Sequence, residues 1–483
     1  MSSHPRAILP ALTSAQVQRI APHQWRTACE RQAQAGGRFC GLFASNGERG
    51  LQVNCIFARG GLEHVLRAPV PAGAIDTLVD LFPSAGWDER EAHDSYGVHF
   101  DGHEPMRSLL AHAAEPEAWT VPVQGHGPYQ VAVGPIHAGV IESGHFRFTV
   151  VGERILYLDL RMFYKHRGLQ VAAEGRPLAE GLAYAQRACA ACAVTNTVAY
   201  AQACESILGV APDRNLRRTR TLLLELERLY NHLNDISAIC AGVGFAPGSM
   251  AFAAFKERAQ RLNQRLTGHR FLFGTIGLAS SSLRIGQAGA HAAREELLAL
   301  EHEQRAISRE LRFAGSLQDR LGEVGTLTRE DALRLGAAGP SARAAGVDHD
   351  TRSESPRLSY AGFAPARPGR ASGDAAARLD IRQAELEQTF ATLDELLTGN
   401  FSPGGVKKLD VPAAGVGVAR VESPRGETVC TVQSDGSTIG RLHLRTGSYA
   451  NWPALAHAAR ENLLPDFPLI NKSFELCYAC ADR

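Results

Sequence analysis

The 483-residue chain has no apolar run of about 18 residues, so no segment reads as a membrane span. It has no surplus of either charge. Lys+Arg number 51 against 50 Asp+Glu, a net charge of +1, which removes the electrostatic case for nucleic acid or an acidic membrane surface. The start, Met1-Ser-Ser-His-Pro-Arg, lacks a charged segment followed by an apolar one, so a secretory leader is not expected. Neither G-x-G-x-x-G nor a P-loop occurs, and there is no internal repeat. None of His137, His145 and His166 sits in the H-x-x-x-H or H-E-x-x-H spacing of a helical metal site. A cytosolic chain of two or three domains is expected.

What the chain does have is ten cysteines, four of them in two C-x-x-C pairs: Cys189-Ala-Ala-Cys192 and Cys477-Tyr-Ala-Cys480. In a chain without a leader this points to a reducing compartment rather than disulfides. The six isolated cysteines (Cys29, Cys40, Cys55, Cys204, Cys240 and Cys430) read as small buried hydrophobes. A C-x-x-C lets one turn of backbone aim two soft sulfurs at one ion, selecting zinc, copper(I), iron–sulfur or nickel–iron chemistry. The pairs lie 288 residues apart, too far for the two knuckles of a zinc ribbon. No βαβ pattern surrounds either pair, against a thioredoxin-like motif. Spacing alone leaves open whether the pairs share a metal.

Residues 1 to about 115 mix short apolar stretches with turns such as Arg59-Gly-Gly, the texture of a small α+β domain. A polar, Pro-containing stretch from about 116 to 130 reads as a linker. Val131 to Tyr164 alternates as strands do. Leu216–Cys240 then carries an i, i+3/i+4 stripe (Leu222, Leu226, Leu229, Leu233, Ile236) with Arg and Glu between, and Ala290–Phe313 and Asp374–Leu397 repeat it. A bundle of long helices is expected, interrupted by a long loop at Gly336–Arg370. After Pro403-Gly-Gly the pattern is strand-like again, from Val416 to Leu444.

Several ordered segments carry a family resemblance. Gly134-Pro-Ile-His-Ala-Gly-Val-Ile-Glu-Ser-Gly-His, Phe163-Tyr-Lys-His-Arg-Gly, Glu225-Leu-Glu-Arg-Leu-Tyr-Asn-His-Leu, Leu266-Thr-Gly, Gly339-Pro-Ser-Ala-Arg, Glu422-Ser-Pro-Arg-Gly-Glu and the closing Cys-Tyr-Ala-Cys-Ala-Asp-Arg resemble the large subunit of membrane-associated (group 4) nickel–iron hydrogenases. These are the formate hydrogenlyase and hydrogenase-4 type, relatives of the 49 kDa subunit of respiratory complex I. Upstream, Phe82-Pro-Ser-Ala-Gly-Trp-Asp-Glu-Arg-Glu and Asp94-Ser-Tyr-Gly-Val-His-Phe-Asp-Gly-His resemble its 30 kDa subunit. The resemblance implies an α+β domain over 1–115, a linker over 116–130 and, over 131–483, a mainly α-helical bundle domain with small β elements.

The resemblance also implies an active site. Cys189 and Cys477 would be terminal nickel ligands, with Cys192 and Cys480 bridging nickel and an iron that carries diatomic ligands. Cys477 would double as the base for heterolytic cleavage. Glu142 would relay the proton, and Arg425 would lie over the iron side. His137, His145 and His166 are then hydrogen-bonding or loop residues. With four cysteines used, no set remains for an iron–sulfur cluster, so a partner small subunit would carry one and membrane subunits would dock the assembly on the cytoplasmic face of the inner membrane.

The sequence departs from the family pattern in places. The first pair normally reads Cys-Gly-Ile-Cys with a histidine four residues on, where this chain has Ala190, Ala191 and Asn196. Asp-Pro normally precedes the second pair, where this chain has Glu475-Leu476. Family precursors often carry a C-terminal extension that is removed, and Arg483 falls about where the mature form ends. These departures leave two alternatives. One is a nickel-free or quinone-linked subunit of a complex-I-like NADH/quinone oxidoreductase. The other is a scaffold holding zinc through the same thiolates.

Overall fold

The computed structural model describes residues 15–47, 50–110, 119–137, 141–354, 357–360, 362–398 and 414–483. Pro403-Gly-Gly and part of the 116–130 stretch lie outside them. At the N-terminus, β1 (Gln16–Arg19), β2 (Arg38–Gly47), β3 (Gly50–Arg59) and β4 (Leu62–Pro69) form a sheet in the order β1-β4-β3-β2, with β1 parallel to β4. The helices Trp25–Gln34 and Gly86–Tyr96 cover one face, and a short parallel pair, β5 (Ala74–Asp76) and β6 (His99–Asp101), completes the unit. Its core is ordinary: Trp25, Leu42, Phe57 and Phe100 are all buried. The other face, through Phe43, Ile56 and Val65, packs on Val416, Val418 and Val429 of the C-terminal sheet.

A second sheet, β7 (Tyr129–Val133), β8 (His145–Val151) and β9 (Arg154–Arg161), is antiparallel throughout. It shares an aromatic core of Phe146, Phe148, Trp452, Phe467 and Tyr478 with the helices Gly447–Ala458, Phe467–Phe474 and Tyr478–Asp482. A two-residue ladder, β10 (Ile276–Gly277) with β11 (Ser280–Ser281), precedes the helix Gln287–Phe313. The third sheet is a meander of β12 (Ala414–Ser423), β13 (Gly426–Asp435) and β14 (Ile439–Arg445).

The largest core lies between this meander and the helices Ala193–Ile207, Arg214–Gly242, Ala246–Thr267, Gln287–Phe313 and Ala375–Leu397. Arg214–Gly242 is the central helix, begun by Asp213, whose carboxylate accepts from Leu216 N. Its Arg and Glu residues do not form a solvated face. Arg220, Glu225, Glu227, Arg228, His232 and Asp235 are as buried as the leucines between them. They are paired instead: Arg220 with Glu205 at 2.5 Å, His232 with Glu385 at 2.9 Å, and Arg425 with Asp235 at 3.0 Å. The expected loop at Gly336–Arg370 contains two short helices, Gly339–Ala344 and Thr351–Glu354, whose Arg343 and Arg352 feed the same buried charge lattice. A loop reading failed there because Gly, Pro and Ala served close backbone packing rather than exposure.

Candidate metal centre

The central helix carries the first cysteine pair on its side. Cys192 is the residue before the helix Ala193–Ile207, and it offers that helix no side-chain cap. Glu227 supplies one instead: its carboxylate accepts from Val194 N at 2.6 Å, Thr195 N at 3.1 Å and Thr195 Oγ1 at 2.5 Å. One turn on, Asn231 Nδ2 donates to Ala191 O at 2.8 Å, and the Tyr230 hydroxyl lies 3.3 Å from the carbonyls of Ala190 and Ala191. The whole Cys-x-x-Cys turn is thus pinned by three polar residues, Glu227, Tyr230 and Asn231, within about one turn of one buried helix. Ala190 is not among the residues with left-handed φ, so the turn accommodates alanine where the family has glycine.

The second pair is held from the opposite side. Cys477 N donates to Ser448 Oγ at 3.0 Å, and Cys477 Sγ accepts from Cys480 N at 3.4 Å, opening the helix Tyr478–Asp482. Asp482 ties the end of the chain down by accepting from Phe163 N and Lys165 N at 2.7 and 2.8 Å. The structure brings all four cysteines into one cluster. Cys189 Sγ and Cys477 Sγ are 3.2 Å apart, and the sulfurs of Cys189, Cys477 and Cys480 lie within 4.8 Å of one another. Cys192 joins them through contacts with Cys189 and Cys480. Among the described residues this is the only such group of three or more metal-binding side chains.

The cluster's electrostatics favour a cation. Contacts from Cys189 and Cys480, against burial and with help from Arg425, pull the Cys192 thiol down to about 6. The contact with Cys189 and burial push Cys477 up to about 12, and its three sulfur neighbours raise Cys480 further. Burial and crowded sulfurs thus resist ionisation of Cys477 and Cys480 unless a cation enters. The donor set fits a thiolate-loving metal. One neighbour, Asn196, departs from this pattern. It follows Cys192 by one helical turn and is fully buried, yet neither atom of its amide has a partner.

A cavity of about 220 Å³ opens onto the cluster, lined by Glu142, Ala191, Arg425, Glu475, Cys477 and Tyr478 among others. Glu142 is half-buried, and its Oε2 accepts from Ala479 N at 2.8 Å. Burial, then the neighbouring Cys477, raises its pKa above the usual carboxylate value. Arg425 sits on the two-residue tip of the β12–β13 hairpin. Its guanidinium donates to Glu475 O at 3.1 Å, to Asp235 Oδ1 at 3.0 Å and to Asn231 Oδ1. The tip is wedged backbone against backbone: a Cβ on Gly339 would meet Gly426 Cα at 2.5 Å, and one on Gly447 would meet Gly426 C at 2.8 Å.

The three histidines stay outside the cluster. His137 Nε2 contacts Gly144 O at 2.8 Å, His166 Nδ1 contacts Asp482 O at 2.7 Å, and His145 packs against Trp119 with ring centroids 5.0 Å apart. The six isolated cysteines are all buried. Sequence reasoning missed Glu227, Tyr230, Asn231, Asp235 and Ser448 as supports of the site. Four of them lie in or just after the Glu225–Leu233 segment, and the signal available was polar residues on every face of a helix that also carries a leucine stripe.

The family model for the respiratory-chain NADH dehydrogenase 49 Kd subunit matches residues 243–404 and 404–483, and that for the 30 Kd subunit matches residues 19–131. The chain is 30% identical over 462 residues to hydrogenase-4 component G of Escherichia coli, covering 87% of this chain and 78% of that protein. It is 28% identical over 437 residues to formate hydrogenlyase subunit 5 of the same organism, covering 83% and 75%. In structure it is similar to a chain of the membrane-bound sulfane sulfur reductase, an archaeal respiratory membrane complex. The TM-score is 0.68 and the identity 27%, over 75% of this chain and all of that one.

Proposed function

Because the chain belongs to the family of fused 30 kDa- and 49 kDa-type complex I modules that includes hydrogenase-4 component G, we propose that it is the large subunit of a membrane-associated, hydrogenase-like oxidoreductase. The reaction is the interconversion of dihydrogen with protons and electrons. The observation that carries this reading is the convergence of four cysteines, Glu142 and Arg425 around one cavity. Cys189, Cys192, Cys477 and Cys480 would hold a nickel–iron centre, which when bound supplies Lewis-acid polarisation of dihydrogen.

The chain's own residues handle charge and protons. Arg425, fixed by Asn231 and Asp235, keeps a cation beside the thiolates and fills one wall of the cavity. Cys477 Sγ is the half-buried sulfur at the cavity, placed to accept a proton. Glu142 keeps Oε2 on the Ala479 N–H, leaving its other oxygen to take the proton and release it toward solvent. Burial and the neighbouring Cys477 raise its pKa above the usual carboxylate value, which helps it hold a proton in transit.

Electrons pass through a partner small subunit bearing an iron–sulfur cluster, because no second cysteine group exists here among the described residues. No helix among the described residues is long and apolar enough to cross a membrane. The membrane-bound complexes of this chain's relatives support attachment through membrane subunits, on the cytoplasmic face. We place the division between the two modules at 116–130.

A second reading, a nickel-free subunit of a complex-I-like oxidoreductase, draws on Asn196 and Glu475. The first is an unpartnered amide where the family has histidine, and the second is a left-handed residue (φ 47°) two positions before Cys477. Hydrogen-dependent reduction of an artificial electron-accepting dye by the purified complex separates the two. Turnover supports the first reading, and its absence after co-expression with the maturation machinery leaves the second.

A further inference from the structure

A second cavity, of about 290 Å³, lies where the N-terminal module meets the large one, and shares no lining residue with the cysteine cavity. Arg90, Arg107 and Trp87 reach it from the N-terminal side, and Arg334, His457 and Arg460 from the other. Asp159 is its only carboxylate; it accepts from Val121 N at 3.1 Å and is also the one acidic group in the lining that Arg90 and Arg107 act on.

The cations are unevenly satisfied. Arg334 and His457 share Asp331, outside the lining, at 2.8 and 3.2 Å. Arg90 donates only to neutral carbonyls, Arg107 O at 2.7 Å and Ser108 O at 2.9 Å, with Asp94 as the acidic group acting on it. Arg107 makes no side-chain hydrogen bond or ion pair among the described residues, and neither does Arg460, which lies 4.4 Å over the ring of Tyr157. Several partly buried cations thus face one shared carboxylate, an excess that is costly, and a planar fork facing a cavity matches a phosphate or carboxylate edge. Trp87, Trp119 and Tyr157 add flat apolar walls.

The geometry points to this cavity as a binding site for a phosphate-bearing small molecule, held by Arg107 and Arg460 and bridging the two modules. The volume sits at the lower end of small-molecule pockets, enough for a pyrophosphate or a mononucleotide. The two sources differ in whether the aromatic walls are used.

Equilibrium dialysis of the full-length chain against labelled pyrophosphate and labelled AMP tests this. One saturable site per chain is expected, with AMP the tighter if the rings stack on the base and pyrophosphate the tighter if charge alone is read. The R107Q/R460Q double variant should bind at least tenfold more weakly, while its melting temperature without ligand stays the same or rises because the cation excess of the cavity is reduced. Arg107→Lys, which keeps the charge but loses the fork, should weaken binding less and guards against a misfolded double variant. No saturable binding of either probe below about 1 mM, or equal affinity in the double variant, overturns the proposal.

Discussion

The first cysteine pair is held by buried groups alone, whereas the second also meets Glu142 and Arg425 on the wall of a cavity. Cys189 and Cys192 are almost fully buried, and their turn is fixed by Glu227, Tyr230 and Asn231 of the central helix, none of them reachable by solvent. Cys477 is partly exposed; Ser448 holds its backbone from the buried side, and Glu142 and Arg425 meet its segment beside an open space of about 220 Å³. The lesson is a division of labour within one cluster. The first side sets where the sulfurs are, and the second side sets what reaches them.

Substitutions on either side should break that comparison in different ways. The largest effect is expected for Cys480→Ser, at the fully buried meeting point of the cluster: metal and activity are both lost, whereas Cys430→Ser, at an isolated core cysteine, keeps both. Metal analysis and dye reduction on the two variants check this. On the cavity side, Glu142→Gln should lower turnover by about 10²–10⁴-fold with metal content unchanged, the mark of a lost proton relay rather than a lost site. On the buried side, Glu227→Ala leaves two helix N–H groups and a hydroxyl without their acceptor. It should cost about 2–3 kcal/mol in denaturant unfolding and reduce metal retention.

The smallest effect serves as a control away from both pairs. Burial and Arg38 oppose the charged form of His349, but Glu354 and Glu427 outweigh them and push its pKa up to about 9. A histidine raised in the folded state adds stability below its unfolded pKa near 6.5, and that stability is lost as pH rises through about 9. The shift is worth about 3 kcal/mol at full strength, and Glu354, which is partly exposed, reduces this to about 2 kcal/mol. Stability measured from pH 6 to 10 should fall accordingly, and His349→Gln should flatten the curve without changing activity per metal.

Much of the architecture was legible before any coordinates. The leucine stripes located the helices Arg214–Gly242, Gln287–Phe313 and Ala375–Leu397 to within a few residues, and alternation located β8 and β9. Ordered motifs picked out the cysteines, Glu142 and Arg425 as companions. What pattern reading missed was the interior polarity. A stripe of leucines with Arg and Glu between implies a wet face, whereas Glu225, Arg228 and Asp235 meet Tyr360, Glu422 and Arg425 from distant segments. Such pairings cross up to nearly two hundred residues of sequence, and no local period encodes them. The glycines around Arg425 were equally silent, because their purpose is the approach of three backbones that only the tertiary fold brings together.

The central claim is that the two pairs form one metal site. Nickel and iron quantified in the purified complex, after co-expression with the maturation machinery, test it most directly. The account predicts close to one nickel per chain, lost in Cys480→Ser. A folded complex with no nickel, or with nickel retained in that variant, would contradict it.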